Sequence, residues 1–75
     1  MIPIHFKEEN CIYAKDQPEY QPLPAHRDEA GIVVTCWQLT TEEKKVIAET
    51  GVIYISLLTF NLPLQPLSVT VENPL

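Results

Sequence analysis

The sequence predicts a small α+β fold: a mostly antiparallel sheet of four to five short strands with one helix, about residues 41–50. Three observations predict it. Runs rich in β-branched and aromatic residues recur between proline- or glycine-marked breaks. Only the stretch from Thr40 to Gly51 carries both helix start and helix stop signals. Finally, 75 residues make a single domain, 1–75, with residues 73–75 expected to fray.

Taken in order, Ile2 to Phe6 reads as an edge strand, because Pro3 lacks a backbone donor. Lys7 to Asn10 is a polar turn. Cys11 to Ala14 reads as a second strand, the hairpin partner of the first. Lys15 to Pro24 is punctuated by Pro18, Pro22 and Pro24 and is expected to be extended and irregular. His26 to Gly31 is a charged turn in which Gly31 can supply a positive φ. Ile32 to Leu39 has apolar residues on both faces, so one strand covered on both sides is expected.

Thr40 and Glu43 have the spacing of a capping box, and Glu42 and Glu43 suit the positive end of a helix dipole. The helix should run through Thr50 and stop at Gly51. Val52 to Thr59 is rich in β-formers and reads as a central strand, with Trp37 and Tyr54 in the core. Phe60-Asn61 suggests a turn. Leu62 to Pro66 is a second proline segment, expected to act as a chain reversal or a subunit contact between strands. Leu67 to Val71 alternates as a half-buried strand does. Eleven residues barely suffice for a parallel crossover, which favours an antiparallel or mixed sheet.

Composition limits the function classes. Hydrophobic residues make up 45% of the chain and charged residues 20%, an ordinary globular balance. The net charge is −5, and the five cations are scattered. Duplex nucleic acid is therefore not an expected partner, since it demands a basic patch. A small anionic ligand needs only one or two cations. Ten acids are too few to suggest a nucleic-acid mimic. No basic segment followed by a long apolar run opens the chain, and Val52 to Leu58 is too short to span a bilayer. The expected setting is the cytoplasm, with Cys11 and Cys36 reduced and no membrane partner.

The chemical inventory is thin. His5 and His26 lack metal-ligand spacing, so no metal or cofactor is expected. Cys36 reads as a small core residue, and Cys11 has no evident base. No catalytic residue and no enzymatic activity are expected. Two glycines cannot build a phosphate loop. Pro63 to Pro66 matches a PxxP pattern, which requires exposure to be read by a partner. The best candidates for ligand or partner contact are Tyr20, His26 and Arg27, which follow the first proline segment on what reads as a loop.

Several stretches together carry a resemblance: Asp16-Gln17-Pro18-Glu19-Tyr20 with Pro22-Leu23-Pro24-Ala25, Cys36-Trp37-Gln38-Leu39, Thr50-Gly51-Val52-Ile53-Tyr54, and Leu58-Thr59-Phe60-Asn61 with Pro63-Leu64-Gln65-Pro66. The chain resembles a family of small uncharacterised phage and prophage proteins over nearly its whole length. The resemblance implies a source class and no reaction. The expectation is a non-enzymatic accessory protein that self-associates and binds a host protein or small signalling ligand. The alternative is a minor structural component of the virion.

Overall fold

Residues 1–75 are all described in a computed structural model. Five short strands and one helix follow in the order β1 (Ile2–Ile4), β2 (Cys11–Tyr13), β3 (Leu23–Arg27), β4 (Val33–Val34), β5 (Cys36–Gln38) and α1 (Thr41–Thr50). They form two antiparallel sheets, β1-β5 and β2-β3-β4, so the fold is α+β.

The expected hairpin between β1 and β2 does not form. β1 pairs with β5, setting Ile4 opposite Cys36, and β2 pairs with β3, setting Cys11 opposite Ala25. The linker explains this. The Glu9 carboxylate accepts the Phe6 amide at 3.0 Å and the Glu9 amide returns to the Phe6 carbonyl at 3.2 Å. His5 Nδ1 lies 2.9 Å from the same carboxylate. The linker is thus tied to itself, and each flanking strand pairs elsewhere.

The second correction concerns Leu23 to Arg27, which the proline count marked as irregular chain and turn. It is β3, the longest strand, paired on both sides. Pro24 is tolerated because β4 covers only His26 and Arg27. Opposite Ile12, the proline turns its donorless nitrogen away from β2, toward the side where β4 has ended. The turn from β3 to β4 follows the sequence: Gly31 adopts φ 90, and Asp28 Oδ1 accepts the Ile32 amide at 2.8 Å.

Ile32 to Leu39 is not one strand. It changes sheets at Thr35, with β4 on β3 and β5 on β1. Trp37 is therefore not core; it is 45% exposed, and its Nε1 donates to Thr35 Oγ1 at 2.9 Å.

The helix matches its sequence signals residue for residue. The Glu43 amide donates to Thr40 Oγ1 at 3.1 Å, and the Thr40 amide donates to Glu43 Oε1 at 2.8 Å. Gly51 ends the helix at φ 64, its amide on the Ile47 carbonyl at 2.7 Å. No helical residue is fully buried. The Met1 amino group donates to Glu43 Oε2, and this bond, followed by the one from Thr40, holds the Glu43 carboxyl below the usual carboxylate range.

Beyond Gly51 the expected strands Val52 to Thr59 and Leu67 to Val71 are absent, and so is the core role of Tyr54, which is 91% exposed. Phe60 and Asn61 do make the expected turn, both at positive φ, closed by the Leu62 amide on the Thr59 carbonyl at 3.0 Å. That is the one backbone–backbone hydrogen bond within residues 52–75. A hairpin cannot continue from it, because Pro63 and Pro66 remove donors from the returning segment. Leu62 to Pro66 is consequently exposed rather than packed between strands. The whole chain has 24 backbone–backbone hydrogen bonds where about 50 would be usual for its length.

Two outcomes follow for stability. Thr40→Ala should lower stability by about 1 kcal/mol in thermal denaturation, and Thr40→Ser should restore it. Because its carboxyl is depressed in the folded chain, Glu43 stabilises above its unfolded pKa, and this is lost as pH falls through the folded value. Glu43→Gln should therefore flatten the acid limb of helix content measured by circular dichroism. Separately, Ala14 sits at φ 58 after β2, a conformation glycine adopts without penalty. Ala14→Gly should raise stability by about 0.5–1 kcal/mol; an unchanged or lowered melting temperature would contradict this.

Candidate functional site

The residues singled out by sequence lie along β3 and its approach. Tyr20 is in a turn whose amide returns to the Gln17 carbonyl at 3.0 Å, and its ring is 61% exposed. His26 and Arg27 are not on a loop; they are the last two residues of β3, opposite Val34 and Val33. Adjacent strand residues point to opposite faces, so the imidazole and guanidinium diverge. Tyr20 precedes one end of the strand and Arg27 closes the other. No hydrogen bond or ion pair joins the three side chains. His26 is half-buried, and its Nδ1 has no partner. Arg27 is exposed and its guanidinium is unpaired, so it is the one of the three with charge to offer an anion.

A residue that sequence reasoning passed over positions this end of β3. Asn10 Oδ1 accepts the Arg27 amide at 2.9 Å, and Asn10 Nδ2 donates to the Arg27 carbonyl at 2.9 Å. Its own amide donates to the Ala25 carbonyl at 2.8 Å. A side-chain amide carries one donor and one acceptor in the same spacing as a peptide, so Asn10 replaces a missing strand residue opposite Arg27. In sequence it looked like ordinary turn polarity between Lys7 and Cys11.

The thiols are free and half-buried. Cys11 Sγ donates to the Ala25 carbonyl at 3.6 Å, and a carbonyl cannot take a proton as a base would. Cys36 faces Ile4 across the β1-β5 ladder. Three carboxylates have local duties: Glu9 holds the Phe6 turn, Asp28 the Ile32 turn and Glu43 the helix start. No group of three or more His, Cys, Asp or Glu is placed to hold a metal ion.

Two hollows lie elsewhere. An open groove of about 970 Å³ runs between the Ala30-to-Val33 turn and the chain around Leu57, Leu62 and Leu67. A second hollow of about 450 Å³ lies where Val46 and Ile47 of the helix face Val52 to Tyr54. Tyr20, His26 and Arg27 line neither. Both hollows are walled by the uncharged stretch Val52 to Val71, and that lack of charge was visible in the sequence. No helix is long and apolar enough to cross a membrane.

Asn10→Ala should cost about 1–2 kcal/mol, since two hydrogen bonds to one residue's backbone disappear together. In a chain this short that corresponds to a fall of roughly 4–16 °C in melting temperature. Asn10→Asp keeps the acceptor for the Arg27 amide but sets an oxygen against the Arg27 carbonyl, so it should be no better. An unchanged melting temperature for both variants would show that Asn10 does not hold the strand.

No family model, curated protein or solved structure matches the chain.

Proposed function

We propose that this chain is a non-enzymatic accessory protein of phage or prophage origin, working as a homo-oligomer that binds a host factor or small signalling ligand. The observation that carries the reading is the mismatch between composition and burial. Hydrophobic residues make up 45% of the chain, yet only Pro24 and Ala25 are buried. Extended apolar surface rimmed by polar residues marks an interaction site. The phage resemblance of the proline, tryptophan and Leu58-to-Pro66 stretches supplies the source class.

Binding rather than chemistry fits the disposition of the polar groups. The best-placed carboxylates each close a turn or cap a helix. The contact surface we assign to a host protein or small ligand runs along β3 and its approach. Tyr20 offers an exposed aromatic face and Arg27 an exposed, unpaired guanidinium, while His26 stands on the opposite face of the strand, half-buried, with an unpartnered Nδ1 shielded from solvent. The setting in this reading is the host cell cytoplasm.

Native mass spectrometry of the protein purified from phage-infected cells tests the reading. The expected result is a multiple of the subunit mass carrying a bound molecule. That molecule should be lost from the Tyr20→Ala, His26→Ala, Arg27→Ala triple variant while the subunit count stays the same. A bare monomer would overturn the proposal. Abundant copies in purified virions would replace it with a structural role in the particle.

A further inference from the structure

From the C-terminal stretch we infer that Val52 to Val71 is a dimerisation arm, in which Val52 to Thr59 pairs antiparallel with the same segment of a second copy. The inference rests on the self-association reading above and names the surface and the partner segment.

Four observations meet here. The first is area. A folded monomer of 8.5 kDa exposes about 4,700 Å², whereas this chain exposes 6878 Å². The excess, roughly 2,200 Å², falls within the range that each partner of an obligate homodimer buries. The second is chemistry. Val52 to Val71 holds no charged residue, while all five cations and nine of the ten acids precede it. Two such segments can meet without opposing the net charge of −5. The third is the backbone. Eight consecutive residues from Val52 to Thr59 are non-proline, and their amides and carbonyls lack ladder partners. Their β-forming side chains, Ile53, Tyr54, Ile55 and Leu57 among them, stand exposed.

The fourth observation selects the occupant. A strand of eight residues needs a partner of similar length. The free sheet edges do not supply one: β4 has two residues, β2 and β5 three each, and β1 three with a proline among them. The chain's own returning segment is interrupted by Pro63 and Pro66. The matching strand is Val52 to Thr59 itself, presented by a second molecule. A two-fold axis between two identical strands makes the pairing antiparallel and self-complementary. This is strand addition of the kind sheet edges use for peptides, with both strands supplied by the arm. Centred on Ile55 and Ser56, it sets Tyr54 opposite Leu57, an aromatic–aliphatic cross-strand pair.

Analytical ultracentrifugation and hydrogen exchange on the full chain test this together. The expected result is a dimer at micromolar concentration whose Val52-to-Thr59 amides are protected, and lose protection on dilution to monomer. Ile55→Asp sets two carboxylates near the centre of the pairing and should weaken dimerisation by at least about 100-fold. Helix content should stay unchanged, since Ile55 lies outside the hollow that α1 shares with Val52 to Tyr54. Ile55→Pro, which removes one amide donor without adding charge, should act the same way. A wild-type monomer would sink both this inference and the self-association reading. A dimer with freely exchanging Val52-to-Thr59 amides, insensitive to both variants, would overturn the arm alone. A monomer in water whose arm becomes protected only on neutral phosphatidylcholine vesicles would likewise sink both.

Discussion

The double ladder on β3 is the constraint on which the rest of the molecule depends. Ala25, with 0% exposure, is its centre. Its carbonyl receives the Asn10 amide and the Cys11 thiol, and β3 carries β2 on one side and β4 on the other. Two residues later the Asn10 side chain locks Arg27 by its own amide and carbonyl. With so little apolar burial, this local hydrogen bonding organises the sheet. The turns on either side are made the same way, by Glu9 and Asp28 closing on nearby amides.

What the sequence disclosed was local. The capping box of Thr40 and Glu43, the stop at Gly51, the positive φ of Gly31 and the turn at Phe60-Asn61 all depend on residues within four positions of one another. Strand partners depend on residues far apart, and there the reading failed. Prolines marked Leu23 and Pro24 as irregular and charge marked His26 and Arg27 as a turn, yet the middle of a ladder accepts a proline whose nitrogen faces an unpaired side. Pro3, opposite Trp37 in a two-stranded sheet, has the same freedom. The even apolar dressing of Ile32 to Leu39 reflected a strand that serves two sheets in turn, not one strand covered on both faces.

The sequence singled out Tyr20, His26 and Arg27 but did not disclose their arrangement. Tyr20, His26 and Arg27 are close in sequence, but an intervening strand separates the first from the other two and turns His26 and Arg27 to opposite faces. Asn10 escaped notice because an asparagine in a turn usually serves its own turn, whereas this one serves a residue 17 positions away. Val52 to Thr59 has the composition of a strand, yet it forms none within the chain. β-propensity expresses fitness for a paired, half-buried surface, and it does not say which chain provides the pair.

The absence of charge from Val52 to Val71, with nearly all of it placed before Val52, has a consequence for ionic strength. Antiparallel pairing of eight residues spans about 27 Å, so the two acidic bodies sit at opposite ends of the ladder. At physiological salt the screening length is about 8 Å, and the bodies scarcely feel each other. At 0.01 M salt it grows to about 30 Å, comparable to the ladder itself. An association held by neutral strands would then loosen as salt is removed, the reverse of what a salt-bridged interface does.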